Sequence, residues 1–310
     1  MNKSSAYFTL MTPAASPGAV ILASFMIDQG DEPTFTRMYF VRPDKSWGFT
    51  GDIRHDLAHG LAARPSTTNP GLTEIYAIGR DATLWTKLPK QDPIETKAPV
   101  REPWMWMENL CLTSDGVYVC GGQRQVYRYA DDQWTAQDDG LYIPSVDGQP
   151  TCDLRALTQL ADGTLLAVGS GGFIAVRTRG ASAWTTIDAP TKADLLCVLP
   201  HENGAWIAGQ NATLVHLAAD HTLADHSDPA ISANFDALAW HDGHLYITAF
   251  DQLLTPGGTG HLAPVDIPLK PDSELHALCT SGDYLYATGD QHVYRLGPTG
   301  WTYLLCPQNE

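Results

Sequence analysis

A short apolar segment that ends in glycine recurs along this chain of 310 residues, and it constrains the fold more than any other feature. Five copies end in glycine and one in alanine, at Gly79, Gly121, Gly169, Gly209, Ala249 and Gly289. Successive copies lie 42, 48, 40, 40 and 40 residues apart. A repeat of this period indicates an array of small supersecondary units, each of which buries its apolar faces against its neighbours.

Each repeat has the composition of short antiparallel strands joined by tight turns. Asp-Gly or Asn-Gly pairs precede four of the recurring segments, at Asp115–Gly116, Asp162–Gly163, Asn203–Gly204 and Asp242–Gly243. Such pairs favour two-residue hairpins, because both central residues must tolerate a positive φ. A third apolar segment follows, and a fourth often opens with Trp-Thr, as at Trp134–Thr135. Four short strands in about 40 residues are typical of a β-propeller blade.

The sequence therefore predicts an all-β protein, folded as a single β-propeller domain over residues 1–310. We expect seven four-stranded blades, at residues 12–50, 55–100, 104–145, 150–190, 192–228, 231–268 and 272–306. Six blades with an N-terminal extension are the alternative. Residues 6–11 are a candidate for a strand that joins the last blade and closes the ring, which would protect the exposed sheet edges.

The repeats resemble those of the BNR (Asp-box) and photosystem II assembly factor (YCF48-like) propellers over residues 55–306. The resemblance rests on the glycine-ended second strand and on the Trp-Thr start of the fourth. No intact Asp-box, Ser-x-Asp-x-Gly-x-Thr-Trp, occurs, and eroded versions lead to Trp134, Trp184 and Trp301. The resemblance therefore implies the fold and says little about chemistry.

The charge of the chain narrows the class of partner. It has 19 basic and 35 acidic residues, a formal net charge of −16. Nucleic-acid phosphates and anionic lipid surfaces both attract the opposite sign, so neither is expected as a partner. No apolar segment approaches the roughly 18 residues that span a bilayer, so no membrane insertion is expected. Six scattered cysteines without a close pair favour a reducing compartment, so we expect the cytoplasm and leave the periplasm open.

An acidic residue stands at the start of each anchored innermost strand. The six are Asp56, Glu108, Asp153, Asp194, Asp236 and Glu274. First strands line the channel of a propeller, so these carboxylates are expected to give the channel mouth a negative potential that suits a cationic segment of a partner. The alternative is that each carboxylate accepts backbone N–H groups at a strand-start turn.

Two tryptophans, Trp104 and Trp106, precede the innermost strand of the third blade and are expected near the same mouth. Tryptophan is enriched at binding hot spots, so both are candidate apolar anchors for a partner. The alternative is that they pack between neighbouring blades.

No catalytic residue, cofactor or metal is expected. The arginines are scattered, whereas a sialidase-type enzyme needs several of them around the substrate carboxylate. Paired acids could hydrolyse glycosides, but acids that belong to the repeat are a weak signal for this. His55 and His59 would lie about 13 Å apart on one strand, too far for a shared metal. The common nucleotide, zinc-protease and hydrolase motifs do not occur.

The function that these features favour is non-catalytic binding of a basic protein at an acidic channel mouth. The role we expect is an immunity or inhibitor protein that neutralises a bacterial toxin. One alternative is an assembly factor or chaperone of the YCF48-like type, which the resemblance implies. Another is a carbohydrate-binding or glycoside-cleaving propeller, which would need a unique cluster of tryptophan, arginine and paired acids.

Overall fold

The computed structural model describes residues 5–13, 19–27, 35–54, 56–101, 106–146, 152–257, 261–271 and 273–309. These residues form 28 strands and three short 3-10 helices. The strands make seven antiparallel sheets, and each sheet takes four strands that are consecutive in the chain. The predicted all-β class with seven four-stranded blades is confirmed, and the six-blade alternative is wrong. Within the described residues, no helix is long and apolar enough to cross a membrane.

The strands are numbered in chain order. The first two blades are β1 (Ser5–Pro13), β2 (Val20–Ile27), β3 (Phe35–Val41), β4 (Trp47–Ile53), and β5 (Ala58–Pro65), β6 (Thr73–Gly79), β7 (Thr83–Lys87), β8 (Ile94–Lys97). The third and fourth are β9 (Met107–Thr113), β10 (Gly116–Gly121), β11 (Val126–Ala130), β12 (Gln133–Ala136), and β13 (Leu154–Gln159), β14 (Leu165–Gly169), β15 (Phe173–Arg177), β16 (Thr185–Ile187). The fifth is β17 (Leu195–His201), β18 (Gly204–Gly209), β19 (Leu214–Leu217), β20 (Leu223–Asp225). The last two are β21 (Leu238–His241), β22 (His244–Ala249), β23 (Gln252–Pro256), β24 (Leu262–Pro264), and β25 (Ala277–Ser281), β26 (Tyr284–Gly289), β27 (His292–Gly297), β28 (Gly300–Leu304).

The chain divides into two compact units. The four-blade unit holds residues 1–80, 84–96 and 238–310, and therefore the first, second, sixth and seventh blades. The three-blade unit holds residues 81–83 and 97–237, and therefore the third, fourth and fifth blades.

The recurring glycine has a steric cause in the three-blade unit. A Cβ built on Gly121, Gly169 or Gly209 would lie 2.0, 2.0 or 2.1 Å from a carbonyl oxygen of the segment leading into the neighbouring first strand. That oxygen belongs to Trp106, Asp153 or Asp194. Any side chain at the glycine would push the first two strands of the blade apart, so the repeat keeps glycine where the backbones approach most closely.

The second strands are buried along nearly their whole length. In β14, all five residues from Leu165 to Gly169 are buried. A strand packed on both faces is a continuous apolar run instead of an alternating one, which is why this segment dominates the sequence pattern. Tyr118, Leu157 and Ala175 belong to one apolar cluster of the three-blade unit, so the third and fourth blades share a core.

In the four-blade unit, the N-terminal strand lies in a different place from the one expected. Its residues pair with β2, from Ser5 opposite Ile27 to Pro13 opposite Val20, so β1 is the first strand of the first blade. The last blade already takes its four strands from residues 277–304. A strand pairs most readily with its neighbour in sequence through a short connection, which explains this arrangement.

The two ends of the chain are nevertheless joined within this unit. The Ala6 backbone N–H donates to Asn309 Oδ1 at 3.0 Å, and Asn309 Nδ2 donates back to the Ala6 carbonyl at 3.1 Å. Ser281 Oγ on β25 also donates to the Ala19 carbonyl at 2.8 Å. Side chains of the last blade and its C-terminal turn therefore hold the first blade.

Candidate functional site

A bulge at the start of the first strand sets the direction of the candidate side chains in the three-blade unit. Met107, Leu154 and Leu195 lie opposite the terminal glycines of the second strands. In each blade the pairing then skips one residue before it resumes, and a skipped residue is what defines a β-bulge. The skipped residues are Glu108, Arg155 and Leu196.

The residue just before this strand occupies a second equivalent position. The carbonyls of Trp106, Asp153 and Asp194 accept hydrogen bonds from the backbone N–H of Gly122, Ser170 and Gln210, at 2.9, 2.9 and 2.8 Å. Trp106 therefore stands where the next two blades have aspartate. Glu108, in contrast, stands at the bulge, so the acids of this unit occupy two different positions of the repeat.

An arginine lies between two of the predicted acids. Arg155 Nη1 donates to Glu108 Oε1 at 2.9 Å, and its Nη2 lies 3.6 Å from Asp153 Oδ2. The two carboxylates are each 14% exposed and the guanidinium 33% exposed. Glu108 and Asp153 thus share the positive charge of Arg155, which was not predicted from the sequence. The potential at this point is therefore less negative than expected.

This ion-pair network retains unused hydrogen-bonding capacity. Asp153 Oδ1 and Arg155 Nε are buried, and neither has a hydrogen-bond partner among the described residues. Most buried polar atoms in folded proteins are hydrogen-bonded, so two neighbouring residues that each keep an unsatisfied buried atom are unusual.

Two of the other acids cap backbone groups: Asp56 at its own strand start, as the alternative interpretation predicted, and Asp194 at the turn between β14 and β15 of the preceding blade. Asp194 Oδ1 accepts the Gly171 N–H at 2.8 Å, and in the four-blade unit Asp56 Oδ1 accepts the Leu57 N–H at 2.8 Å. Asp236 lies near Cys197, whose thiol pKa is raised by burial and, to a lesser extent, by this carboxylate. The acids of the repeat therefore have several different local roles.

Of the two candidate tryptophans, Trp104 lies outside the described residues. Trp106 is 48% exposed, so it is a surface side chain and not a buried wedge between blades. It precedes Glu108 by two residues, so an exposed apolar side chain stands just before the strand that contributes Glu108 to the ion-pair network. The surface formed by Trp106, Glu108, Asp153, Arg155 and Asp194 is called the strand-start surface below.

The four-blade unit contains a second arrangement, which the sequence analysis missed. His276 Nε2 lies 2.8 Å from Asp290 Oδ1 and 3.8 Å from Glu274 Oε2. One ligand atom from each of the three residues lies within 4.8 Å of the others, so together they could hold a metal ion. A cavity of about 410 Å³ adjoins them, lined by Phe250, Asp251, Leu269, Lys270, Ser273 and Glu274.

Glu274 and His276 occupy the positions of the repeat that Asp153 and Arg155 occupy in the fourth blade. A Cβ on Gly289 would meet the Glu274 carbonyl, as one on Gly169 would meet that of Asp153. His276 just precedes Ala277, which pairs with Thr288, so it corresponds to Arg155. A signal was present in the sequence, because Glu274 and His276 are two residues apart and Asp290 follows the recurring glycine. His55 lies outside the described residues, and the pairing of β5 skips His59.

No protein-family model and no curated protein matches the sequence. Solved structures do match. Virginiamycin B lyase from Staphylococcus aureus has a TM-score of 0.68 at 12% identity, with 92% of each chain covered. YCF48 bound to D1 peptide has a TM-score of 0.66 at 15% identity, with 98% of this chain and 93% of that chain covered. YCF48 from Cyanidioschyzon merolae has a TM-score of 0.67 at 11% identity, with 99% and 97% covered.

At this level of identity the likeness establishes the fold alone. The expected resemblance to YCF48-like propellers is confirmed, and a lyase shares the fold as well. A fold that serves both does not select between binding and catalysis. The chain is therefore a seven-bladed β-propeller similar in fold to YCF48 and to virginiamycin B lyase.

Proposed function

We propose that the chain is a protein-binding propeller, and that its strand-start surface binds a segment of a partner that carries lysine or arginine. The observation that carries this proposal is the exposed Trp106 two residues before Glu108, which Arg155 links to Asp153 in a partly buried network. Tryptophan and arginine are the residue types most enriched at interface hot spots, and partly buried carboxylates give charge selectivity.

Three further features support it. Asp153 Oδ1 and Arg155 Nε lack hydrogen-bond partners among the described residues, so a shift of either side chain on binding would let it bond to the partner. The net charge of −16 attracts a cationic partner at long range. YCF48, whose fold this chain shares over nearly its whole length, has been solved with a peptide bound. The narrower role of an immunity protein against a toxin remains a prediction from the sequence, and the comparisons give it no support.

The test is a comparative capture of partners from the lysate of the source organism. Wild type, Trp106→Ala and Trp134→Ala serve as baits, with quantitative mass spectrometry at low and high salt. Trp134 is the matched control, because it lies on the outer strand β12 of the same blade and packs against Tyr129 at 5.0 Å. We expect wild type and the control to capture one basic protein in stoichiometric amount. The amount captured by Trp106→Ala should be about tenfold lower. Equal retention by all three baits would overturn the proposal.

A second candidate function rests on Glu274, His276 and Asp290. Two carboxylates and one imidazole with open positions form a ligand set that suits a divalent cation, and the adjoining cavity leaves space for a substrate. Because a lyase shares the fold, a metal-assisted reaction at this cluster is the enzymatic alternative. Calorimetric titration of wild type and His276→Ala with Mg²⁺, Mn²⁺ and Zn²⁺ tests it. Absence of saturable binding to wild type would remove it.

A further inference from the structure

A cleft in the four-blade unit lies far in sequence from both candidate sites. Its volume is about 530 Å³, within the range of small-molecule pockets in proteins. Strands of the first and second blades form its walls, and the loop before β6 and the turn after β7 form its rim. Its apolar lining is Ala19, Ile21, Phe40, Pro43, Phe49, Leu72, Ile75, Leu88 and Pro89.

The aromatic wall of this cleft depends on a glycine. Phe40 on β3 pairs with Gly48 on β4, and a Cβ at Gly48 would lie 2.0 Å from the Phe40 ring. The absence of a side chain at this position lets the tip of the Phe40 ring occupy the space that a Cβ would fill. Phe49 and Leu72 remain 56% and 40% exposed, an unusual degree of exposure for two large apolar side chains that line one cleft.

The charge of the cleft is opposite to that of the whole protein. Arg42, Lys87 and Lys90 line it, and no aspartate or glutamate is among its described lining residues. The Arg42 guanidinium lies over the Phe40 ring, 4.4 Å from its centroid, which holds this cation against the apolar wall. Within the described residues, none of the three cations has a carboxylate within ion-pair distance, and the carboxylate that Arg42 interacts with at longer range is the exposed Asp44, outside the lining. The described lining of this apolar cleft thus holds three cations and no carboxylate, in a chain with 35 acidic residues.

We propose that this cleft binds a small amphipathic carboxylate, an acid with an aliphatic or aromatic body. The apolar part lies against Phe40, Phe49 and Ile75, and the carboxylate meets the cations of the rim. Burial of the body supplies the affinity, at roughly 25 cal/mol for each Å² of apolar surface removed from water. The rim cations supply the preference for an anion. This proposal is independent of the strand-start surface.

The test uses two probes with the same chain and opposite charge, dodecanoate and dodecylammonium, each below its micelle concentration. Calorimetric titration of wild type is expected to give saturable one-site binding of dodecanoate, about tenfold tighter than that of dodecylammonium. Absence of saturable dodecanoate binding, or equal binding of the two probes, would overturn the proposal.

Two test variants, each with a matched control, test whether dodecanoate binds in the cleft. Leu72→Glu introduces a carboxylate at the rim and is expected to weaken dodecanoate binding by about tenfold or more. Leu305→Glu is its control, an exposed leucine (44%) elsewhere in the same unit. Lys90→Glu is expected to weaken binding, whereas Lys192→Glu, at an exposed lysine of the three-blade unit, is not. If the controls weaken binding as much as the test variants, the proposal fails.

A second copy of the chain is the competing occupant of this apolar patch. Light scattering of wild type and Leu72→Glu distinguishes the two. A monomeric wild type that binds dodecanoate supports the ligand site. A dimer that Leu72→Glu dissociates would show that the patch is an interface between copies, and would overturn the proposal.

Discussion

The fourth and seventh blades have different chemistry at the same point of the repeat. In the fourth blade, Asp153 is followed two residues later by Arg155, which pairs with Glu108 of the preceding blade. In the seventh blade, Glu274 is followed two residues later by His276, which pairs with Asp290 of its own blade. The first arrangement is a partly buried ion-pair network between blades, and the second is a more accessible cluster within one blade.

The difference shows what the repeat determines and what it leaves free. The recurring glycine approaches the carbonyl of Asp153 in the fourth blade and of Glu274 in the seventh, and so fixes where side chains emerge at the start of these two inner strands. The residue two positions after the acid is free to vary: it is Arg155 in the fourth blade, where the acid is neutralised, and His276 in the seventh, where the acid joins a ligand set. Function in this protein therefore depends on departures from the repeat, as in other folds that serve many functions.

The largest effect is expected from removal of the bulge arginine of the fourth blade. Arg155→Leu leaves Glu108 and Asp153 mostly buried without their shared cation, which should destabilise the protein by about 2–3 kcal/mol. Chemical denaturation measures this loss. The matched control is Arg155→Leu combined with Glu108→Gln and Asp153→Asn, which removes the stranded charges and should recover most of the loss. A single variant as stable as wild type would contradict the network.

The next largest loss of stability is expected when the recurring glycine of the fourth blade, Gly169, is replaced. Gly169→Ala places a Cβ against the Asp153 carbonyl and should cost about 2 kcal/mol, because backbone and not a flexible side chain must move. The sixth blade provides the control. Ala249 already occupies the corresponding position there, so Ala249→Gly should cost less, about 0.5–1 kcal/mol. Equal losses in thermal or chemical unfolding would show that the close approach is not the reason for the glycine.

A partly buried histidine of the three-blade unit is expected to make stability depend on pH. His216 on β19 packs against Trp206, with ring centroids 4.7 Å apart, and its pKa is lowered from 6.5 by burial and then by His226 and His201. The unfolded chain therefore takes up this proton at a higher pH than the folded chain does. Stability should fall as the pH drops below about 6.5, until the folded pKa is passed.

Replacement of His216 by glutamine tests this dependence. Unfolding free energies measured between pH 7 and pH 5 should have a shallower slope in His216→Gln than in wild type. His244→Gln, at an exposed histidine of the sixth blade, is the control. An unchanged slope in His216→Gln would exclude this histidine as a source of the pH dependence.

The smallest stability effect is expected at the seventh-blade cluster. His276 is about one-third exposed and the two carboxylates beside it are more exposed still, so His276→Ala should change the unfolding free energy by less than about 0.5 kcal/mol. Any loss of metal binding in this variant would then report on the ligand set and not on folding. If His276→Ala lowered the unfolding free energy as much as Arg155→Leu does, the proposed difference between the two blades would be wrong.

The sequence predicted those parts of the fold that have local causes. The recurring glycine is required wherever two backbones approach within one blade, and the Asp-Gly turns require positive φ, so both are visible in the sequence as fixed residues. The place of β1 was not predictable in the same way. Its pairing with β2 and the Ala6–Asn309 hydrogen bonds join segments whose sequence pattern does not specify a partner.

The candidate site was predictable only in part. The acids were visible because they recur, but the bulge shifts Glu108 to a different position from Asp153, and a pattern of apolar residues does not reveal a one-residue bulge. The pairing of Arg155 with Glu108, 47 residues earlier in the chain, depends on how two blades pack. The same holds for Asp290, which approaches His276 only because β25 and β26 are neighbours.

The salt dependence of association with the captured partner tests the binding account most directly. Asp153→Asn and Asp194→Asn together remove two charges, while the amide oxygen of residue 194 can still accept the Gly171 N–H, so capping is kept. The account predicts that wild-type association slows as ionic strength rises, and that the double variant associates more slowly at low salt with a flatter dependence. Identical association rates for wild type and the double variant at every salt concentration would contradict it.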